Sequence, residues 1–160
     1  MRFVLAVAAV AATIAAATAL PAGARVSAPG PQCGGTLWKV MTLSDTAKQS
    51  VTWAPTATSI PDISKLTAPA RITTARSNSF LKHVWSLDKT VIERYRMASN
   101  GEIVLELCDI NTQTYMNAYL EASSCLPTAA RGRGQMLTAR NNFLSGCPAP
   151  TKDWQMLGAQ

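Results

Sequence analysis

Apolar and polar residues alternate along four segments in the middle of the chain, at residues 81–87, 91–97, 103–108 and 115–120. A period of two places successive side chains on opposite faces of an extended backbone, so this pattern predicts four β-strands. The Asn100-Gly101 pair between the second and third segments favours a type I′ turn, because both residue types accept positive φ. The sequence therefore predicts a hairpin from Lys89 to Asp109 within an antiparallel meander.

Helical spacing replaces the alternation in one segment after the strands. Between residues 135 and 144, apolar side chains recur three and four positions apart, which predicts an α-helix over 135–144 that Ser145-Gly146 stops. Met136, Phe143 and Leu144 lie on the side of this helix that we expect to pack against the sheet.

The N-terminal part of the exported chain carries weaker patterns. Alternation over residues 37–42 predicts a first strand, and residues 51–53 favour a second extended piece. Prolines argue against a long regular element between residues 55 and 69. One short helix still fits at residues 60–66, with Ser59 as its N-cap.

The first two dozen residues form a separate unit. Met1 and Arg2 give a positive start, residues 3–20 are almost continuously apolar, and Ala22-Gly23-Ala24 supplies small residues at a cleavage site. A membrane anchor is the alternative, but the run is short for a bilayer span and consists largely of alanine. The pattern predicts a signal peptide, a secreted or periplasmic protein, and no stable membrane anchor after cleavage.

These elements together predict a mainly β, α+β fold. We expect a small antiparallel meander that forms an OB-like barrel or half-barrel, with a short helix and a C-terminal helix. The predicted organisation is a signal peptide (1–24), a flexible lead (25–32), a single exported domain (33–147) and a C-terminal tail (148–160). The exported part is long enough to bury one ordinary core.

Four cysteines lie in the exported part, at Cys33, Cys108, Cys125 and Cys147. Thiols persist as bridges in oxidising compartments, so two disulfides are expected. A zinc site is the alternative, but no CxxC pair is present and His83 is the only histidine. No metal site and no cofactor are predicted, and the spacing leaves all three disulfide connectivities open.

The chain is basic, with 15 Lys and Arg residues against 9 Asp and Glu residues, and a net charge of +6. This charge favours contact with a polyanion or a glycan, although a soluble basic protein without such a partner is the alternative. Residues 63–100 concentrate the basic side chains. The candidate ligand-binding residues combine cations and aromatic rings at strand spacing, and they are Lys82, Arg94, Arg96, Tyr115 and Tyr119. A solvated strand face with its tyrosines in the core is the competing interpretation.

Catalytic motifs are absent from the sequence. It contains no GxSxG, HExxH or P-loop pattern, and no catalytic residue is predicted. His83 lies within an alternating strand, where a packed histidine is the ordinary outcome. Paired carboxylates could hydrolyse a substrate without histidine, and the candidates near the hairpin are Glu93, Glu102, Glu106 and Asp109. The sequence therefore favours a non-enzymatic binding module, with a nuclease-like secreted hydrolase as the alternative.

Several stretches together resemble a known group of proteins. They are CGGTLWKVMTLSD (33–45), TSIPDISKL (58–66), NGEIVLEL (100–107), YMNAYLEASSC (115–125) and LTARNNF (137–143). The chain resembles a group of small secreted bacterial proteins of unknown function that share a CGxxxWxVKTLxD opening and a DGDxHLVL hairpin. The resemblance implies a shared fold.

Departures from the group's pattern limit what the resemblance implies. Met41 replaces the usual lysine of the opening, and the hairpin carries Asn100 and Val104 where the group has Asp and His. A metal or acid–base role built on that Asp and His could not operate here. The resemblance also implies a Cys33–Cys125 disulfide, which leaves Cys108 to pair with Cys147.

Overall fold

The computed structural model describes residues 33–35, 37–67, 76 and 79–157. The predicted signal peptide and flexible lead lie outside the described residues. The elements, in chain order, are α1 (Trp38–Met41), β1 (Thr52–Thr58), α2 (Ile60–Ser64), β2 (His83–Leu87), β3 (Thr90–Met97), β4 (Ile103–Asp109), β5 (Tyr115–Leu120), α3 (Arg133–Gly146) and β6 (Gln155–Met156).

The strands form two sheets. Four strands pair antiparallel in the order β5-β4-β3-β6, and β1 pairs with β2 in a separate two-stranded parallel sheet. The predicted mainly β, α+β class is confirmed, as is the antiparallel meander from β3 to β5. Within the described residues the larger sheet stays open, because no pairing joins β5 to β6, so the closed barrel that was one expected form is not present.

The β3–β4 hairpin forms where it was predicted, but its turn differs. Ala98 and Glu102 pair across the turn, the Gly101 N–H donates to the Ala98 carbonyl at 2.9 Å, and Gly101 has φ +82°. Asn100 does not have a positive φ, so the predicted type I′ turn is wrong. A three-residue connection with glycine in the left-handed position places the strands in the same register with only one residue of positive φ.

A bulge in β3 changes which of its residues face the core. The register shifts between Ile92 and Arg94, so Glu93 has no partner of its own in β4. The extra residue reverses the alternation, and Ile92 therefore shares the core face with Tyr95 and Met97. Strict alternation in the sequence instead grouped Val91 with Tyr95.

The core lies between one face of the larger sheet and α3. Tyr95, Ile103, Leu105 and Phe143 form its buried cluster. The Tyr95 and Phe143 rings meet edge to face with centroids 5.0 Å apart, and the Tyr95 hydroxyl donates to the Pro148 carbonyl at 3.1 Å. Phe143 packs as predicted, whereas Leu144 is 39% exposed because it lies one position beyond the buried side of the helix.

The first predicted strand is wrong, because residues 38–41 form the single helical turn α1. Thr42 donates from its backbone N–H and from its hydroxyl to the Trp38 carbonyl, at 2.9 and 2.8 Å. Thr42 is fully buried, so the turn is fixed against the rest of the domain. A six-residue alternation is compatible with either a strand or one helical turn, and here the burial of Thr42 favours the helical turn.

The second helix confirms its predicted cap. The Asp62 N–H donates to the Ser59 hydroxyl at 3.2 Å, and Pro61 lies in the first turn. The Ser59 hydroxyl in turn donates to Asp62 Oδ2 at 2.8 Å, and this hydrogen bond, together with Lys65, lowers the pKa of the Asp62 carboxyl.

The parallel sheet was not predicted. β2 pairs with β1 instead of joining the meander, across a connection long enough to return the chain to the end where β1 begins. β1 also runs through Pro55, where a long element was judged unfavourable. The register of β1 shifts between Thr52 and Pro55, so the irregularity accommodates a residue that cannot donate a hydrogen bond.

Arg76 is buried and belongs to the structure rather than to a basic surface. Its guanidinium donates to Asp45 Oδ1 at 3.1 and 2.9 Å, to the Val40 carbonyl at 2.6 Å and to the Leu81 carbonyl at 2.6 Å. Both side chains of the ion pair are 4% exposed. The pair therefore joins the N-terminal segment to the start of β2.

The C-terminal residues differ from the predicted tail. Residues 155 and 156 add β6 to the free edge of β3, and the Leu157 N–H donates to the Glu93 carbonyl at 3.0 Å. Glu93 is the bulged residue of β3. The helix before this segment runs to Gly146 and not to residue 144.

One of the two expected disulfides is present. Cys33 and Cys125 are bonded across a separation of 92 residues. Cys108 and Cys147 are free thiols, so their predicted bridge is wrong. Cys147 packs against the core cluster, whereas Cys108 follows the core residue Leu107 in the same strand, and alternation turns it to the opposite face of the sheet.

Candidate binding face

The side of the larger sheet that faces away from α3 carries the candidate site, and we call it the outer face. Register aligns Arg96, Val104 and Tyr119 in one row and Arg94, Glu106 and Asn117 in the next. Successive residues of a strand point to opposite faces, so each row lies on the side opposite the buried cluster. Side chains on this outer face include Arg94, Arg96, Val104, Glu106, Tyr115, Asn117, Tyr119 and Trp154.

Arg94 and Glu106 form a bidentate ion pair near the middle of the outer face. Arg94 Nε lies 2.6 Å from Glu106 Oε1, and the second nitrogen lies 2.8 Å from Oε2. These hydrogen bonds lower the pKa of the Glu106 carboxyl and raise that of the guanidinium. The pair is therefore fully ionised at neutral pH and contributes no net charge to the face.

Trp154 lies against both arginines of β3. The guanidinium carbons of Arg94 and Arg96 lie 4.7 and 5.1 Å from the centre of its ring system, within the range of cation–π contact. The indole is 39% exposed. Pairing of β6 with β3 holds the segment, and the Gln155 side chain accepts from the Thr151 N–H at 2.6 Å.

Arg96 carries a charge that the described residues do not neutralise. Its Nε is buried and has no hydrogen-bond partner there, and no carboxylate forms an ion pair with it. The rest of the guanidinium lies beside the Trp154 ring. Arg96 thus leaves one uncompensated positive charge on the outer face, with unused donors.

Tyr115 and Tyr119 occupy the opposite side of the outer face, on the edge strand β5. They are 49% and 46% exposed, so neither ring belongs to the core. A hydrogen bond with Cys108, together with burial, raises the pKa of Tyr115, and the phenol is protonated at neutral pH. Three strand spacings separate these rings from the β6 side, which places aromatic groups about 14 Å apart across the face.

The structure brings together four of the five predicted ligand-binding residues. Arg94, Arg96, Tyr115 and Tyr119 share the outer face, and the alternative that placed the tyrosines in the core is wrong. Lys82 does not join them, because it ends the 3₁₀ turn before β2 in the other sheet. Sequence reasoning missed Trp154, because the two-residue strand β6 that follows it is too short to produce a period.

The carboxylates of the hydrolase alternative are dispersed. Glu106 is committed to Arg94, and Asp109 Oδ1 accepts from the N–H groups of Asn111 and Thr112 and from the Thr112 hydroxyl, at 3.0 to 3.1 Å. These turn contacts lower the pKa of Asp109. An open cleft of about 490 Å³ lies beside that turn, but it contains only Asp109 of the four predicted carboxylates.

A different carboxyl pair lies at the hairpin end of the sheet. Glu121 follows β5 and lies beside Glu102, which precedes β4. Burial, and then the neighbouring Glu102 carboxyl, raise the pKa of Glu121 to about 7. The Arg140 guanidinium is buried nearby and donates to backbone carbonyls, among them Glu121 O at 3.1 Å. This pair caps the end of the sheet and lies outside the cleft.

Neither His83 nor a metal cluster provides a catalytic arrangement in the described residues. His83 is exposed, with its ring 5.4 Å from that of Trp85, and no described carboxylate orients it. No cluster of three or more His, Cys, Asp or Glu side chains suited to a metal ion occurs among them. None of the helices in this part of the chain is long and apolar enough to cross a membrane.

Comparison of the chain with protein-family models, with curated proteins and with solved structures gives no match. The chemistry of the outer face therefore has to be interpreted from its own residues.

Proposed function

We propose that the protein is an exported, non-enzymatic binding module whose outer face binds a glycan that carries acidic groups. The observation that carries this proposal is the contact of Arg94 and Arg96 with the exposed Trp154 indole, on the same face as two exposed tyrosines. Such a face combines apolar ring surfaces with guanidinium donors for a carboxylate or sulfate.

The charge balance of the outer face supports an acidic glycan over single-stranded nucleic acid. Glu106 neutralises Arg94, so Arg96 is the one uncompensated cation among the residues of the face. Nucleic acid presents a phosphate at every nucleotide, and proteins that bind it provide a matching row of cations. A glycan with widely spaced acidic groups needs fewer cations on the protein that binds it.

Export is supported by two features of the chain. The N-terminal residues have the composition of a signal peptide, and the Cys33–Cys125 bridge is of the kind that persists in oxidising compartments. A disulfide-closed domain with a partly aromatic sheet face suits binding outside the cytoplasm.

Calorimetric titration of the exported domain against hyaluronate, which carries one carboxylate per disaccharide, neutral dextran and oligothymidylate tests the proposal. We expect binding to hyaluronate that weakens with added salt, since the cation contributes to affinity. Trp154→Ala and Arg96→Gln should each weaken this binding by about fivefold or more, because one stacked ring or one charged hydrogen bond contributes about 1 to 3 kcal/mol.

Lys82→Gln is the matched control, because it removes one positive charge away from the outer face. It should leave binding unchanged. Binding lost equally in Lys82→Gln and Arg96→Gln would indicate a general charge effect and contradict the proposed face. Tighter binding to oligothymidylate than to hyaluronate would replace the glycan with nucleic acid.

A further inference from the structure

The free edge of β5 exposes backbone groups of three alternate residues. The Asp109 N–H donates to the Thr114 carbonyl at 3.0 Å, in the register that also pairs Leu105 with Ala118. Hydrogen-bonded pairs alternate along an antiparallel ladder, so every second residue of β5 bonds to β4. The N–H and C=O groups of Tyr115, Asn117 and Tyr119 consequently point away from the sheet.

No strand in the described part of the chain pairs with this edge, and no described backbone group bonds to its outward N–H and C=O groups. Residues 115–120 contain no charge, proline, glycine or bulge, which are the usual means of blocking strand addition. By contrast, β1 has Pro55 and a register shift, and β6 is two residues long. The Arg140 side chain donates to the Leu120 carbonyl at 2.8 Å, but Leu120 is not one of the three residues whose backbone groups point outward.

The sequence of this edge is self-complementary. Tyr115, Asn117 and Tyr119 read the same in both directions, with Asn117 at the centre. If a second copy pairs antiparallel about a two-fold axis at Asn117, each Tyr115 faces Tyr119 of the other copy. The residues paired in this register are the three whose backbone groups point outward, so three pairs give six hydrogen bonds.

We propose that the protein forms a symmetric dimer through the edge of β5, with a second copy of the chain as the partner. The two four-stranded sheets then form one continuous antiparallel sheet of eight strands. Aromatic pairs across the junction stabilise it, and Met116 faces Ala118 on the core side. The dimer joins two outer faces, but it does not depend on the ligand proposed for them.

Disulfide trapping tests the register. Residues opposite each other in a hydrogen-bonded antiparallel pair have Cα atoms about 5.5 Å apart, which suits a disulfide. Asn117→Cys should therefore form a covalent dimer in oxidised glutathione under native conditions. Asn142→Cys is the control, because Asn142 is an exposed asparagine of α3 and both variants keep the two free thiols of the native chain.

Sedimentation of charge variants provides a second test. Asn117→Lys places like charges opposite each other at the axis and should yield the monomer mass, half that of the native protein. Mixing it with Asn117→Glu should restore the dimer mass, since opposite charges then meet. Circular dichroism should show each variant folded, because the Asn117 side chain is exposed.

Three results would overturn the dimer. They are a native protein that sediments as a monomer up to its solubility limit, trapping of Asn117→Cys no faster than Asn142→Cys, and an unchanged dimer mass in Asn117→Lys. The last result would place the contact on another surface.

Discussion

Raising the pH through the range from about 4.5 to about 7 should destabilise the fold, because the native protein holds Glu121 in its protonated form. Glu121 Oε1 is buried and has no hydrogen-bond partner among the described residues. Arg140 does not offset this burial fully, since its guanidinium donates to the carbonyls of Gly101, Leu120 and Glu121 at 2.8 to 3.1 Å.

The sign and size of the effect follow from the two pKa values. The Glu121 pKa rises from 4.5 in the unfolded chain to about 7 in the fold, so between these values the native state binds more protons. The free energy of unfolding then decreases as the pH rises, and it levels off above about 7. A shift of this size corresponds to about 1 to 3 kcal/mol once solvent screening is allowed for.

Three other carboxyl groups affect the stability of the fold in a separate, more acidic pH range. The pKa values of Asp62, Glu106 and Asp109 are lowered in the fold. Each of these groups stabilises the fold above its unfolded pKa, and that contribution is lost as the pH falls into the acid range. They do not compensate for Glu121 above about pH 4.5.

Urea unfolding followed by tryptophan fluorescence at about pH 5 and about pH 8 measures the effect. Glu121→Gln should remove most of the difference between the two pH values, and Asp153→Asn, at an exposed position, should retain it. Equal stability of the native protein at both pH values, or an unchanged difference in Glu121→Gln, would refute the reasoning.

Three further changes should affect stability. Arg76→Met should lower the free energy of unfolding by about 3 to 5 kcal/mol, because it leaves the buried Asp45 carboxylate unpaired. Adding Asp45→Asn to the same chain should recover part of this free energy, and denaturant titrations measure both changes. Gly101→Val should lower the free energy of unfolding by about 1 to 3 kcal/mol, because φ is +82° there and valine resists a positive φ. An unchanged thermal midpoint would contradict this turn geometry. Reduction of the Cys33–Cys125 bridge, or Cys33→Ser, should lower the free energy of unfolding by about 4 to 5 kcal/mol, because the unfolded chain is then no longer closed into a loop. Equal denaturation midpoints with and without reductant would show that the bridge does not restrict the unfolded chain.

The meander could be predicted because its strands are long and half-buried. Each of β3, β4 and β5 has at least six residues, so alternation over several pairs distinguishes a strand from a helix. The short elements α1 and β6 give no such period. Tertiary contacts decide them, through the buried Thr42 in one case and the open edge of β3 in the other.

The parallel sheet could not be predicted for a different reason. Alternation identifies a strand but carries no information about its partner, and β2 pairs with β1 across a long connection. The same limit applies to Arg76. Its position in a basic stretch predicted an exposed side chain. Arg76 is instead buried, because it pairs with Asp45, which lies 31 residues earlier in the chain.

Most of the candidate site was predictable because alternation fixes which residues share a face. The register of β3 with β4 and β5 brings Arg94, Arg96, Tyr115 and Tyr119 together, as residue parity suggested. Alternation alone predicts that the faces continue to alternate through Glu93, but the bulge there reverses which face the following residues occupy. The neutralisation of Arg94 also depends on register, since Glu106 lies opposite it and 12 residues away.

The two edges of the larger sheet differ, and the difference accounts for the arrangement of the outer face. The edge of β3 is covered by β6, which holds Trp154 against two guanidinium groups. The edge of β5 keeps its backbone groups unpaired within the described residues, and its tyrosines have no arginine against them. Trp154 on the covered side is therefore held against the two arginines before a ligand binds, whereas Tyr115 and Tyr119 lie half-exposed beside an open edge. The dimer proposed through β5 would bring the tyrosines of two copies together and join their outer faces.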